Sequence, residues 1–153
     1  MIEFKWQQVG GPGVTPPSLT APMLTFVPPS PGSYVFKLAV SDGLDSSTAI
    51  FIATVYTPLA IDSSAILPSG REKRGYSARL LASGGVLPIT WRVVAGVLPP
   101  GLSLSEDGLL SGTPQAKGQF QFTAEVGDRV GTTLLQTLSL KVSPATVLLA
   151  PRG

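Results

Sequence analysis

Apolar and polar residues alternate along six short segments of the chain, and turn-forming residues separate these segments. The alternating segments are residues 2–7, 34–40, 76–81, 89–94, 119–126 and 137–142. A period of two is typical of a strand with one buried face, and glycine- and proline-rich stretches such as Ser111-Gly112-Thr113-Pro114 supply the turns. No segment shows a helical stripe with capping residues. This pattern predicts an all-β fold of the sandwich type.

The chain contains an internal repeat at a fixed spacing. The segment Gly32–Asp42 recurs as Gly118–Asp128 at an offset of 86 residues. Two further matches lie in nearly the same register: Trp6 with Trp91 at an offset of 85, and residues 57–61 with residues 143–147 at an offset of 86. Three matches in one register predict two domains of the same design.

The two tryptophans are predicted to fill the cores of these domains. Each lies in an alternating strand, and a large apolar ring suits the space between two sheets. Between Leu104 and Leu109, the pair Asp107-Gly108 predicts a tight hairpin turn.

The second half of the chain carries the motifs of a known family in that family's order. They are Leu67-Pro68-Ser69-Gly70, Tyr76, Leu80, Gly84-Gly85, Pro88, Trp91, the run from Leu98 to Leu104, Gly108, Ser111-Gly112-Thr113-Pro114 and Gly118. Over residues 58–144 the chain resembles the putative-Ig repeat of bacterial surface proteins, a relative of the cadherin-like modules. The Leu-Pro-Pro-Gly-Leu and Ser-Gly-Thr-Pro motifs make this resemblance specific.

The first segment, residues 1–57, is similar to the PKD-type Ig-like module. The similarity rests on the stretch from Trp6 to Pro12, on Phe26 and Pro28, and on the stretch from Gly32 to Gly43. Together the resemblances imply two immunoglobulin-like β-sandwich domains in tandem, on an extracellular or cell-surface protein. We expect an incomplete PKD-like domain at residues 1–57, a cadherin-like domain at 58–144 and a tail strand at 145–153. Neither family implies catalytic residues for this chain.

The first domain is expected to lack its first two strands. In the second repeat 32 residues separate Pro58 from Trp91, whereas only five residues precede Trp6. A sandwich without two strands leaves an open cleft, in which core side chains such as Phe36 and Leu38 would face water. The predicted acceptor groove comprises Phe4, Trp6, Phe26, Tyr34, Phe36 and Leu38.

The C-terminal segment offers a strand for that cleft. This donor strand is Ala145, Thr146, Val147, Leu148, Leu149 and Ala150, a short β-prone run without charge. Residues 144–153 can extend to about 33 Å, roughly the length of such a sandwich. Insertion of this strand into the next copy predicts a homo-oligomeric, head-to-tail filament, because such a contact does not close on itself unless the rotation allows. One donated strand replaces only one of the two missing strands.

A second interpretation stays open beside the filament. The chain would then be a two-module excerpt of a large surface adhesin or glycan-binding protein, and its tail would be the start of the next repeat. Glycan binding calls for an exposed aromatic platform, but most of the 11 aromatic residues fall on inward positions of the alternating strands. Tyr56 is one of the few exceptions, so the pattern favours a structural role.

The composition excludes many kinds of chemistry. The 153 residues include no Cys and no His, and they include no Asn. Thiol nucleophiles, the Ser-His-Asp triad and zinc fingers are therefore excluded, as is N-glycosylation. Glu106-Asp107 lies in a turn, whereas glycoside hydrolysis needs two carboxylates that face each other across a cleft. We expect no enzymatic activity and no cofactor.

The charged residues are few and scattered. Eleven Lys and Arg against nine Asp and Glu give a net charge of +2, which is too weak to indicate nucleic-acid binding. No apolar run approaches the roughly 18 residues of a membrane span. The cluster Arg71-Glu72-Lys73-Arg74 is expected to be solvated, with contact to a neighbouring subunit or an anionic glycan as the alternative.

Three aspartates, Asp42, Asp45 and Asp128, are weak candidates for calcium ligands, as in cadherin-like arrays. Calcium takes about six to eight oxygen ligands, usually from several carboxylates, and nine acidic residues spread over two domains supply few. We expect these side chains to cap turns instead, since aspartate readily accepts hydrogen bonds from nearby backbone N–H groups.

Overall fold

The structure is a computed structural model that describes residues 1–148. These residues form strands, turns and bends without any helix, so the predicted all-β class is confirmed. Nothing in this part of the chain is a helix long and apolar enough to cross a membrane. The chain divides into two compact units, of which the first is Met1–Thr57 and the second begins at Pro58.

The first unit contains one antiparallel sheet in the order β1-β2-β3. Its strands are β1 (Glu3–Gly10), β2 (Gly32–Ser41) and β3 (Ser46–Val55). The alternation predicts β1 and β2 but gives no indication of β3. The centre of β3 is the continuous apolar run Ile50-Phe51-Ile52, which has no period of two.

Residues 11–31 lie over the apolar face of this sheet without forming strands. The backbone N–H of Trp6 donates to the carbonyl of Leu19 at 2.8 Å, and its indole N–H donates to the carbonyl of Ala21 at 3.0 Å. At the other end of the segment, the Tyr34 hydroxyl donates to the carbonyl of Ser30. Side chains of the segment pack against the buried Trp6, Tyr34 and Phe36; they are Val14, Leu24 and Phe26. This cover layer gives the first unit a small core.

Proline accounts for the irregular backbone of the cover layer. Residues 11–31 contain seven prolines, whereas the corresponding residues 97–117 of the second unit contain three. Proline has no N–H and cannot donate to a ladder of strand hydrogen bonds. The second unit forms β9 (Leu102–Leu104) and β10 (Leu109–Gly112) in that stretch.

The second unit is a sandwich of two larger sheets with a short third one. Its remaining strands are β4 (Ala60–Ile61), β5 (Gly70–Arg71), β6 (Tyr76–Arg79), β7 (Ala82–Ser83), β8 (Thr90–Gly96), β11 (Gly118–Gly127) and β12 (Thr133–Ser143). The sheets have the orders β5-β12-β11-β8, β6-β10-β9 and β4-β7. All pairings are antiparallel except that β5 runs parallel to β12.

One core fills the space between the sheets of the second unit. The fully or nearly fully buried side chains include Leu80, Leu110, Phe122, Leu138 and Leu140. The predicted core positions of the two tryptophans are confirmed, since Trp91 is 4% and Trp6 is 8% exposed. Each lies in the core of its own unit.

The predicted turn at Asp107-Gly108 joins β9 to β10 and closes against Trp91. Gly108 has a φ of 85° and its N–H donates to the carbonyl of Ser105 at 3.0 Å. Its own carbonyl accepts the N–H of Leu80 at 2.8 Å. A Cβ at this position would lie 2.9 Å from the Trp91 ring. Glycine is therefore required here for both its backbone conformation and its lack of a side chain.

We expect Gly108→Ala to destabilise the second unit more than Gly131→Ala does. Gly131 also has a positive φ, of 90°, but nothing lies within 4 Å of its would-be Cβ. The conformational cost is about 1–2 kcal/mol at either position, and the overlap with Trp91 adds about 1 kcal/mol or more at Gly108. Amide hydrogen exchange of β11 measures the free energy of opening. Equal losses in the two variants would contradict the proposed packing of Gly108 against Trp91.

Candidate functional site

The hairpin β2–β3 of the first unit has the same register as the hairpin β11–β12 of the second. Phe36 lies opposite Phe51, and its repeat partner Phe122 lies opposite Leu138. Phe51 is therefore the counterpart of Leu138. The two units present the same face of the same hairpin, so differences in exposure report what covers that face.

The two faces are covered to very different extents. Phe51 is 48% exposed, whereas its counterpart Leu138 is completely buried. Ala53 is half-buried, whereas its counterpart Leu140 is completely buried. Residues 11–31 thus cover the β1–β2 side of the first sheet and leave the β3 side partly open.

The open part of this face forms an apolar groove of about 490 Å³. Its lining includes Trp6, Leu24, Phe26, Leu38, Phe51 and Ala53. The ring centroids of Trp6 and Phe51 are 5.4 Å apart, and those of Phe26 and Phe36 are 5.0 Å apart. Aromatic pairs at such distances stabilise each other beyond their buried area. These two pairs therefore contribute to the stability of the groove wall.

The structure places four of the six predicted groove residues in the lining of the apolar groove: Trp6, Phe26, Phe36 and Leu38. Phe4 lines a neighbouring concavity with Leu19. Tyr34 is completely buried. The expectation that Phe36 faces water is wrong, because it is only 2% exposed beneath Phe26. Leu38 is half-buried.

Sequence reasoning missed the other half of the lining. Phe51 and Ala53 come from the unpredicted strand β3, and Leu24 comes from the cover layer. The repeat held only a shifted signal for β3. Its offset of 86 residues matches Phe51 to Thr137, whereas strand pairing makes Leu138 the counterpart of Phe51, because the turn between β11 and β12 is one residue longer than the turn between β2 and β3. The proline-rich cover layer carries no periodic signal.

One edge of β3 is open beside the groove. Among residues 1–148, β3 pairs with β2 alone. The N–H of Trp6 points away from β2 towards Leu19, so Trp6 and Leu38 form a pair without mutual hydrogen bonds. By the same alternation across β2, the backbone groups of Ile50 and Ile52 point to the open edge. An extended chain could pair with them.

The second unit shows how a neighbouring segment occupies this edge. The N–H of Ser139 in β12 donates to the carbonyl of Ala65 at 2.8 Å, and the N–H of Leu67 donates to the carbonyl of Ser139 at 2.9 Å. In the common register Ser139 is the counterpart of Ile52. The open edge of β3 is therefore the position that residues 65–67 fill in the second unit.

The predicted donor strand is only partly described by the structure. Residues 145–148 form no strand, and the side chains of Val147 and Leu148 are exposed. Arg71 donates to the hydroxyl of Thr146, while the Ala145 N–H lies 3.5 Å from a Glu72 carboxylate oxygen. Leu149 and Ala150 lie outside the described residues.

Asp42 caps the turn between β2 and β3. Its carboxylate accepts the N–H of Asp45 at 2.8 Å and the N–H of Leu44 at 2.9 Å. These two hydrogen bonds hold the pKa of Asp42 below its ordinary value. The carbonyl of Asp45 in turn accepts the N–H of Asp42 at 3.2 Å. A calcium ion at Asp42 would compete with these bonds.

Asp128 has the same role in the second unit. One carboxylate oxygen accepts the N–H groups of Thr132 at 2.8 Å and Val130 at 3.1 Å, and the other accepts the N–H of Val86 at 3.1 Å. Burial raises the pKa of Asp128, but these donors together outweigh it and leave the pKa below its ordinary value. Among residues 1–148 no three His, Cys, Asp or Glu side chains are grouped as a metal site.

The comparisons with known proteins identify the second unit. Residues 58–143 match the family model described as Putative Ig domain, which covers more than half of the chain. No curated protein matches. The family match does not extend to residues 1–57.

Solved structures match across both units. Drosophila OTK extracellular domains 3–5 match at 13% identity and a TM-score of 0.59, over 95% of this chain and 52% of that one. The titin I-band fragment I67–I69 matches at 15% identity and a TM-score of 0.55, over 94% and 56%. The protocadherin GammaB4 extracellular domain matches at 17% identity and a TM-score of 0.51, over 93% and 27%. The chain spans less than two thirds of each, and the matches establish the immunoglobulin-like fold.

We expect the turn at Asp42 to lose stability as the pH falls through the lowered pKa of that residue. The contribution is fully present above the unfolded value of about 3.9, because the carboxylate is then ionised in both states. NMR titration of the Leu44 and Asp45 amide protons should give a midpoint below about 3.9. Asp42→Asn should abolish this titration. A midpoint at or above about 3.9 would contradict the capping role.

Proposed function

Since the chain belongs to the Putative Ig domain family, we propose that it is a structural, non-catalytic module of an extracellular or cell-surface protein. Two structures that it resembles, those of OTK and the protocadherin, are extracellular regions. We extend this proposal to the first unit as a PKD-type module. Its support is the position of Trp6 in β1 and the stretch from Gly32 to Gly43.

The finer part of the proposal is that the first unit accepts a strand from another copy. The observation that carries it is the exposure of Phe51, whose counterpart Leu138 is completely buried. Burying a large apolar side chain contributes about 1.5–3 kcal/mol in full, so covering the exposed half of Phe51 contributes about 1 kcal/mol. The open edge at Ile50 and Ile52 adds backbone hydrogen bonds.

The occupant we propose is the donor strand, residues 145–150 of a second copy. The preceding residues 143–147 match 57–61, which lead into β4. There Leu59 is buried and Ile61 packs against the core of the second unit. Val147 is the counterpart of Ile61 and is 78% exposed. In the acceptor it would lie in the apolar groove.

Such a contact joins two different surfaces and propagates. The donor belongs to the second unit and the acceptor to the first, so each copy that accepts a strand also offers one. A heterologous contact of this kind builds an open chain of subunits when the rotation does not close. We therefore propose a filament or surface assembly joined head to tail.

The second candidate function is a module within a long tandem adhesin. It is favoured by the protocadherin match, in which 93% of this chain corresponds to 27% of a longer extracellular region. In that case a segment of the same polypeptide covers the apolar groove. Tyr56, which is 54% exposed, remains a candidate for ligand contact.

We expect Phe51→Lys to abolish self-association. A charge in the apolar groove would be buried without a partner when a strand docks. Thr48→Lys adds the same charge to the same strand, on the opposite face and at an exposed position, and is the matched control. Sedimentation velocity and negative-stain microscopy compare the two variants with the parent chain.

The donor is tested separately, in variants that leave the first unit unchanged. Deletion of residues 145–153, or Leu148→Lys at a position that is 92% exposed, should give monomers with unaltered amide exchange in β2 and β11. Filaments that persist after the deletion would disprove strand donation. A parent chain that stays monomeric at all concentrations would favour the tandem adhesin.

A further inference from the structure

Positive side chains cluster on the outer face of the four-stranded sheet in the second unit. Arg71 of β5 is paired with Ser143 of β12, and Lys141 precedes Ser143 by two residues. Lys117 comes directly before β11, the other neighbour of β12. Because Val142 is buried, Ser143 and Lys141 point outward. We call the exposed residues Arg71, Lys117 and Lys141 the basic face.

Two more cations flank the basic face in the turn that follows β5. The N–H of Arg74 closes this turn on the carbonyl of Arg71 at 3.2 Å, and the N–H of Lys73 donates to the carbonyl of Pro114 at 2.8 Å. The second bond ties the turn to the loop that carries Lys117. Both Lys73 and Arg74 are exposed.

Lys73 adopts an unusual backbone conformation. Its φ is 61°, and within residues 1–148 it is the sole non-glycine residue with a positive φ. Glycine adopts this conformation at lower cost than lysine does. Strained positions of this kind cluster at functional sites.

Little negative charge offsets this cluster. The ion pairs within residues 1–148 are Arg79 with Asp107 and Arg92 with Glu125, and neither includes a residue of the cluster. Glu72 is the single acidic residue in the turn, and a carboxylate oxygen of its side chain lies 3.5 Å from the N–H of Ala145. The whole chain has a net charge of only +2, so this concentration is local.

The basic face borders a shallow concavity of about 570 Å³, to which Lys117, Gln119, Lys141 and Ser143 contribute polar groups. Gln119 lies opposite Lys141 in the pairing of β11 with β12. The amide nitrogen of Gln119 donates to the hydroxyl of Ser139 at 2.8 Å, which leaves its oxygen as an acceptor. No aromatic residue contributes to the lining, so it offers no ring on which a nucleic-acid base or a neutral sugar could stack. An acidic polysaccharide can instead be held through its charged groups. Alternating charge and neutral hydrogen-bonding groups suit a charged sugar chain.

We propose that the basic face binds an acidic polysaccharide. Carboxylate or sulfate groups of the polymer contact Arg71, Lys117 and Lys141. Arg71 and Lys141 are diagonal neighbours across β5 and β12, about 7–8 Å apart, and Lys117 lies on the other side of β12, so successive acidic groups along the polymer contact them. Gln119 and Ser143 bond to sugar hydroxyl groups between the acidic groups. The contact area is exposed, so binding weakens as salt screens the charges.

The test compares two double variants that lose the same charge. Lys117→Ala with Lys141→Ala removes two lysines from the basic face, and Lys5→Ala with Lys37→Ala removes two exposed lysines from the first unit. Binding is measured by calorimetry against polygalacturonate, which carries carboxylates, heparin, which also carries sulfates, and neutral dextran. We expect the first variant to lose about tenfold in affinity and the second less than about twofold.

Lys73→Gly gives a test that does not depend on damage to the fold. Glycine adopts the positive φ at lower cost, so this variant should leave the second unit at least as stable as before. It should nevertheless weaken binding to the acidic polymer about two- to threefold. Preference between polygalacturonate and heparin identifies carboxylate or sulfate as the recognised group. Equal losses in the two double variants, binding to dextran, tighter binding to single-stranded DNA, or no binding to either acidic polymer would overturn the proposal.

Discussion

A β-sheet with one apolar face requires a second layer to cover that face, and both units of this chain are organised by this requirement. The same hairpin, in the same register, supplies the face in each unit. The second unit covers it with the sheet β6-β10-β9 and buries Leu138 and Leu140 completely. The first unit covers it with a proline-rich segment and leaves Phe51 half exposed. The second unit therefore has a closed core, whereas the first has an open apolar groove, because the two units differ in the layer that covers the hairpin.

The tryptophan in the strand next to this hairpin contacts a different kind of segment in each unit. In the second unit Trp91 packs against the turn at Gly108, which belongs to the opposite sheet. In the first unit the backbone and the indole of Trp6 bond to the carbonyls of Leu19 and Ala21. An equivalent residue therefore anchors a regular sheet in one unit and an irregular segment in the other.

Much of the fold could be predicted from the sequence, because its strands bury one face and alternate accordingly. The core positions of Trp6 and Trp91 and the turn at Gly108 follow from that pattern. Strand β3 could not be predicted from alternation, since Ile50, Phe51 and Ile52 are apolar on both faces. The cover layer lacks any period, so its contacts with Phe36 depend on tertiary packing alone.

The candidate sites, too, could be predicted from the sequence only in part. The side of the apolar groove formed by β1 and β2 could be predicted from the repeat, whereas the side formed by β3 and residues 11–31 could not. The basic face joins residues that are up to 70 positions apart, Arg71 and Lys141. In the sequence only the residues next to Arg71 form a local cluster of charge. Strand pairing across β5, β12 and β11 brings the other lysines beside it.

The parallel pairing of β5 with β12 also determines how the second unit bears tension. A pull on the second unit at Pro58 and Ser143 loads strands near its two ends that lie side by side, so their hydrogen bonds are sheared together rather than opened one at a time. In the first unit the neighbouring strands are all antiparallel, so a pull at Glu3 and Val55 is transmitted through β2. A strand bound parallel to β3 would give the first unit a parallel pair of the same kind.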